Sequence, residues 1–319
     1  MSLRLDDRWV WDTWFATDGD RIHAFYQAAP RSLGDPRIRT DHCFVGHAVS
    51  TDLRTWTELD DAIVPAPAGA WDDLAIWSGN VFRASDRWLH FYTGRGHGDG
   101  GWAQRVGLAE STDLVRWDRI GSTPIIDADP RWYEDAGGAE WHEVAWRDPF
   151  VFADPAGDGY HAFITARSRS GDPSRRGVIG HATSPDLRRW AVRPPIASPA
   201  GFGHLEVLQV VEAAGRTFLV WCAGEDHVSA TRRDAAGGRP MTGTYIVRAP
   251  GPMGPFHVPE TTPLEPYSPL YAGKLVEWDG RWWFLGFVDQ ADGAFVGELS
   301  DPIPFDPLGS FVEAGAERP

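Results

Sequence analysis

VGHAVSTDLRTW at residues 45–56, VGLAESTDLVRW at 106–117 and IGHATSPDLRRW at 179–190 are three copies of one string. Each follows a segment that reads as strand, tight turn, strand: Val10 to Ala28, Trp77 to Gly94 and Trp146 to Ala166. Two further strand pairs, Leu205 to Gly224 and Lys274 to Val288, precede degenerate copies that begin at Thr244 and Val296. Within the string, the glycine centres a third strand. The Ser and Asp satisfy backbone groups of a turn, and the Trp leads into a fourth strand. Trp56, Trp117 and Trp190 are therefore expected at equivalent places between neighbouring units. Five units, repeating every roughly 60–70 residues with strand and turn alone, specify an all-β fold. The expected architecture is a five-bladed β-propeller of four-stranded antiparallel blades.

The composition agrees. Gly (35) and Pro (25) recur too often for long helices, and no segment sustains a 3.6-residue period. Hairpin turns are expected at Ser85-Asp86 and Asp279-Gly280. The unbroken repeat argues for one propeller domain over residues 1–319, without a C-terminal β-sandwich. A net charge of -15 and the absence of a basic stripe exclude a nucleic-acid partner. No run approaches the roughly 20 apolar residues of a membrane span. The N-terminal MSLRLDDRWVWDTW lacks the basic-then-apolar order of a secretory leader, so a cytoplasmic location is expected. Cys43 and Cys222 fall in predicted strands of different blades and read as reduced, buried thiols. His47 and His181 occupy matching repeat positions, and His23, His90 and His161 fall in strands, which marks them as packing groups. No metal or cofactor motif is present, and none is expected.

In a propeller the first strand of each blade lines the central channel. The first strands here carry Asp12, Asp148 and Glu206, at what the repeat presents as one shared position. Each has a structural alternative: Asp12 as a turn former, Asp148 as half of an Asp-Pro turn, Glu206 as a lone charge in an apolar strand. Three acids converging on one place are nevertheless what glycosidic bond cleavage requires. One carboxyl must give a proton while another stays ionised as nucleophile or base. Arg147 is the candidate cation that holds an acid ionised, although strict alternation would point it away from Asp148. Trp11 and Trp14 flank Asp12 with aromatic faces on which a sugar ring can stack. Insertions at Gly96–Gln104, Asp127–Val144, Ser168–Arg176 and Glu225–Arg239 are expected to rim the channel mouth.

Several of these residues stand in a familiar order. Trp11-Asp12 is followed by Phe25-Tyr26-Gln27, then by the string Gly46 to Trp56. Trp77-Ser78-Gly79, Arg147-Asp148-Pro149 and, about 60 residues later, Glu206 complete the set. The chain resembles the fructan- and sucrose-processing enzymes of glycoside hydrolase families 32 and 68, retaining five-bladed propellers, from about Trp9 to Phe305. The resemblance implies Asp12 as nucleophile, Asp148 as transition-state stabiliser and Glu206 as general acid/base. It implies a small carbohydrate as substrate, a β-fructofuranoside such as sucrose or a short fructo-oligosaccharide, with fructosyl transfer as a branch. Gln27, Trp77, Ser78 and Arg147 are candidate substrate-binding or orienting residues beside Trp11 and Trp14. Glu225 and His227 are candidates at the cleft rim, and Tyr271 in the fifth blade. The chain departs from family 32 in having Trp-Asp-Thr where Asn-Asp-Pro is usual, and Val207 where a Cys follows the acid/base Glu. Two alternatives stay open at this point. One is an inverting arabinofuranosidase or xylosidase like those of family 43, and the other is a carbohydrate-binding propeller without catalysis.

Overall fold

Each string folds into the same turn. Ser50 Oγ accepts from the backbone N–H of Asp52 and Leu53, and Asp52 Oδ1 accepts from Arg54 and Thr55. Ser111 with Asp113, and Ser184 with Asp186, repeat this arrangement. The leucine after each Asp is buried and takes a left-handed backbone, with φ 63°, 64° and 63° at Leu53, Leu114 and Leu187. The string's glycine has a different cause. A Cβ on Gly46 would lie 2.3 Å from the Tyr26 ring, and one on Gly107 would lie 2.4 Å from the Tyr92 ring. Only glycine lets those tyrosines lie flat on the neighbouring strand.

The computed structural model describes residues 3–135 and 143–316, so residues 136–142 of the Asp127–Val144 insertion lie outside the described residues. It is a five-bladed β-propeller. Blade I comprises Arg8–Asp18, Arg21–Pro30, Phe44–Ser50 and Thr57–Glu58, joined as a meander. Blade II comprises Ala75–Ala84, Arg87–Arg95, Arg105–Ser111 and Asp118–Arg119. Blade III comprises Trp146–Ala153, Tyr160–Arg167, Gly177–Ser184 and Ala191–Ile196. The hairpins close at Ser85-Asp86 and Asp279-Gly280, where Ala84 pairs with Arg87 and Trp278 with Arg281.

Blades IV and V lack the Ser-x-Asp-Leu turn, and their outer edges differ accordingly. Blade IV has three strands, Glu206–Ala213, Arg216–Ala223 and Gly243–Ala249. Pro250, Pro252 and Pro255 follow, and none can donate to a ladder. Residues from beyond blade V fill the fourth place: Arg248 N–H donates to Val312 O at 2.9 Å, and Ala314 N–H to Arg248 O at 2.7 Å. Blade V comprises Leu270–Trp278 and Arg281–Ala291; its third place is divided between Ala294–Leu299 and Ile303–Pro304. One seven-residue helix, Ala230–Ala236, lies in the Glu225–Arg239 insertion.

The inner strands touch in a ring that closes between Arg8–Asp18 and Leu270–Trp278. Aromatic side chains seal the seams. Trp117 of blade II meets Phe25 of blade I edge-on at 5.7 Å, and Trp190 of blade III meets Phe91 of blade II edge-on at 5.7 Å. Trp56 joins Trp278 and Trp283 of blade V in the corresponding cluster. The three string tryptophans thus occupy equivalent seams. The histidines also follow the repeat: His23 pairs with His47 at 2.8 Å, and His161 with His181 at 2.9 Å. Cys222 lies in the second strand of blade IV, whereas Cys43 immediately precedes a strand; both are free and buried.

Candidate active site

Every inner strand breaks register near its channel-facing start. The slips fall between Trp11 and Thr13, Trp77 and Gly79, Glu206 and Gln209, and Tyr271 and Lys274, with a matching slip after Arg147. Such bulges re-aim side chains. The bulged residues are Asp12 (φ 35°), Asp148 (φ 54°), Val207 (φ 53°) and Ala272 (φ 46°), with Ser78 as their blade II equivalent. The residues just before them are Trp11, Trp77, Arg147, Glu206 and Tyr271.

This ring corrects the sequence reading. Asp12 and Asp148 share a repeat position, but Glu206 does not. It stands one residue earlier, in the place that Arg147 holds in blade III, and its blade has Val207 at the bulge. The bulge also removes the objection to Arg147, because an extra residue breaks alternation and lets Arg147 and Asp148 face the same space.

A cavity of about 840 Å³ opens over this ring, within the range of small-molecule sites. Trp11, Asp12, Gln27, Trp77, Arg147, Asp148, Glu206, Glu225, His227 and Tyr271 all line it. Ser78 is fully buried behind it and donates to Asp12 Oδ2 at 2.6 Å. Gln27 Nε2 donates to the same oxygen at 2.7 Å. Trp14 does not belong to this cavity. Two residues further along the strand it has advanced about 7 Å down the channel, where it is buried and donates Nε1–H to His90 Nε2 at 3.1 Å. There it lines a second space of about 590 Å³, with Asn80, Phe150, Gln209 and Lys274, at the other end of the same inner strands.

Of the four insertions, two contribute lining: Glu143 from one, and Glu225, Asp226 and His227 from another. Gly96–Gln104 and Ser168–Arg176 contribute none. The remaining rim was not anticipated. Arg37, Arg39, Thr40 and Asp41 come from the 3-10 segment Pro36–Asp41, and Asp289 and Gln290 from the end of a blade V strand. Residues 31–43 between the second and third strands of blade I are longer than their counterparts 96–104 and 168–176, which is the signal that marks this segment. Trp77 anchors it, donating Nε1–H to Thr40 O at 2.7 Å. Arg39 lies over the Phe295 ring at 3.8 Å.

Arg147 is the electrostatic centre. It reaches Glu206 Oε1 at 2.6 Å, Glu143 Oε1 at 2.9 Å, Gln104 Oε1 at 3.0 Å and Asp148 Oδ2 at 3.5 Å. The Tyr271 hydroxyl donates to the other Glu206 oxygen. Asp148 Oδ2 also accepts from Thr165 Oγ1 at 2.9 Å and from Val207 N–H at 3.3 Å. The three acids consequently differ. Burial, then the like charges of Asp148 and Glu206, push the Asp12 carboxyl up to about 7 despite the Ser78 hydrogen bond. Burial raises Asp148 to about 6, with Arg147 opposing and Glu206 adding. Burial works to raise Glu206 too, but His204, Arg147 and Tyr271 outweigh it and hold that carboxyl well below the usual range. Among the three acids the most easily gained proton therefore sits on Asp12.

The sequence profile of the glycosyl hydrolases family 32 N-terminal domain matches residues 15–241. The chain belongs to glycosyl hydrolase family 32. The family 32 match contains Asp148 and Glu206 and begins three residues after Asp12, where the sequence already departs from the family's usual wording. The chain is 30% identical over 201 residues to a rice (Oryza sativa subsp. indica) β-fructofuranosidase, insoluble isoenzyme 2, covering 61% of this chain and 30% of that one. It is 31% identical over 118 residues to an onion (Allium cepa) bifunctional fructosyltransferase, covering 31% of this chain and 18% of that one. The chain thus spans less than a third of the length of these relatives. In fold it matches an inulosucrase from Halalkalicoccus jeotgali bound to kestose, with a TM-score of 0.72 and 22% identity over 92% of this chain and 79% of that one. Family 32 membership takes the place of the family 43 alternative.

Proposed function

We propose that this protein cleaves β-fructofuranosides with retention of configuration, acting on sucrose or a short fructo-oligosaccharide. The observation that carries the proposal is the convergence of Asp12, Asp148 and Glu206, in a family 32 chain, on one cavity centred on Arg147. Asp12 attacks the anomeric carbon as the bond to the leaving oxygen breaks, and Glu206 gives its proton to that oxygen. Asp148 stabilises the oxocarbenium-like transition state through ring hydroxyls. Water then attacks the fructosyl-enzyme, its proton returns to Glu206, and Asp12 is released. A sugar hydroxyl in place of that water gives fructosyl transfer. The name of the onion relative, a bifunctional fructosyltransferase, supports that branch.

The charge state of the three acids bears on both steps. With both oxygens held by donors, Glu206 is prepared as the base of the second step. For the first step the cluster must carry one proton and place it on Glu206. Substrate favours this transfer, because positive charge developing at the anomeric carbon stabilises an ionised Asp12. The three acids titrate as a coupled set. Above about 7 the set holds no proton, and below about 6 it takes up a second that neutralises Asp12 or Asp148. The expected kcat/KM profile is therefore a bell with limbs near those values, measurable from initial rates on sucrose between about pH 4 and 9. A profile still rising at the alkaline end contradicts this assignment.

The direct test of the reaction is time-resolved NMR with sucrose and short β-fructans. Fructose appearing first as the β-furanose supports retention. First appearance of the α-anomer indicates inversion, and a retaining site requires carboxyl groups only about 5–5.5 Å apart. Sugar binding without release from any fructoside favours the non-catalytic reading.

A further inference from the structure

Val207 is a β-branched residue in the left-handed region, with φ 53°. Such a residue is a genuine outlier, a strained conformation that persists only where the surroundings enforce it. Two groups enforce this one. Its N–H donates to Asp148 Oδ2 at 3.3 Å. Its carbonyl accepts from Lys274 Nζ at 2.5 Å, and the next carbonyl, Leu208 O, accepts from the same Nζ at 3.2 Å.

Lys274 has no place in the chemistry above. It is 5% exposed and projects from the blade V inner strand beneath the acids. Burial lowers its ammonium to about 8, with Cys222, Asp148 and Asp12 opposing, so it is largely charged at neutral pH. Burying an ammonium is expensive, and a buried one is retained where its hydrogen bonds are needed. Here they converge on one bulge, and the residue before that bulge is Glu206. The direction of the Glu206 side chain and the Val207 N–H bond to Asp148 both follow from how the 206–208 peptides are turned.

We propose that Lys274 is a positioning residue: its ammonium clamps the blade IV bulge in the strained turn that aims Glu206 at the cavity and Val207 N–H at Asp148. The proposal rests on the fructosidase reading for its effect on rate, but not for the clamp itself.

A double-mutant cycle tests it, with Lys274→Met, Val207→Gly and the two combined. Glycine adopts positive φ without strain, so a bulge carrying it needs no clamp. Lys274→Met alone is expected to lower kcat on sucrose by about 30-fold with KM changed less than about threefold. In the Val207→Gly background the same substitution is expected to cost less than about threefold, relative to Val207→Gly itself. Equal losses in both backgrounds overturn the proposal, since a lysine acting only as a counter-charge or as packing is indifferent to strain at 207. The thermal unfolding midpoints of the four proteins form a second cycle that needs no substrate. A drop with Lys274→Met that shrinks in the Val207→Gly background supports the clamp even if no fructoside is turned over, a result that sinks only the fructosidase reading. If Lys274→Met does not fold, folding of the double variant supports the clamp, and failure of both overturns it.

Discussion

Glu206→Ala is expected to lower kcat/KM for sucrose by roughly 10²–10⁴-fold, the range for loss of a general acid/base. The loss is expected to depend on the leaving group, which separates this role from mere support of the cavity. Fructose and glucose are poor leaving groups and need the proton. An aryl β-fructofuranoside with an acidic phenol needs it far less, so its first step should survive and fructosyl-enzyme should accumulate. Azide, which needs no base, should then restore turnover and yield a β-configured fructosyl azide. The geometry explains why no neighbour takes over. His204 is held well below its ordinary range by burial, to about 4, and so carries no proton to give at neutral pH. The Tyr271 hydroxyl is pushed well above its usual value chiefly by burial, a cause that does not depend on Glu206. Equal losses on sucrose and the aryl substrate, with no response to azide, would remove Glu206 from the acid/base role.

The propeller was legible because its signals are local. Ser-x-Asp-Leu builds a turn from hydrogen bonds within four residues, and Gly46 and Gly107 answer to one tyrosine each. Where the string decays, in blades IV and V, the outer strands decay with it, and the return of residues 312–314 to blade IV is a long-range pairing that no local pattern announces. The acids were legible as members of inner strands, but their relative phase was not. A bulge is one residue of slip in a ladder, and period-two alternation cannot say where it falls. That single residue separates Glu206 from Asp12 and Asp148, brings Arg147 into the site and leaves Trp14 at the far end of the channel. The Pro36–Asp41 rim has no repeat equivalent, so only its excess length marks it. Tyr271 was legible as a residue of the fifth inner strand, whereas its hydrogen bond to Glu206 depends on ring closure.

Asp12→Asn is expected to abolish turnover, by roughly 10⁴-fold or more, while making the protein more stable at alkaline pH. The first half follows from the proposed role of Asp12 as the nucleophile. Asparagine keeps an oxygen that accepts from Gln27 and Ser78, so the cavity is preserved while the attacking group is not. The second half follows from linkage. A carboxyl that titrates near 7 in the fold, against 3.8 as its ordinary value, is one that the fold resists ionising. Near pH 4 it is protonated in the folded protein and the penalty is small. As pH rises from about 4 to about 7 the unfolded chain ionises Asp12 while the fold resists a charge beside Asp148 and Glu206, so stability falls relative to the neutral variant across that window and levels off above it. One side of Asp12 opens on the cavity, which reduces the penalty to about 1–3 kcal/mol at pH 8. For a chain of 319 residues that corresponds to an unfolding midpoint roughly 2–4 °C above wild type. The gap should close as the pH is lowered toward 4, and calorimetry at pH 4, 6 and 8 measures it. A variant that is less stable than wild type at all three, or a gap independent of pH, would mean that Asp12 is not the strained acid of the set. Retained turnover would deny it the role of nucleophile. An inactive variant whose stability gain appears only as pH rises is what a site that gives up stability for reactivity should show.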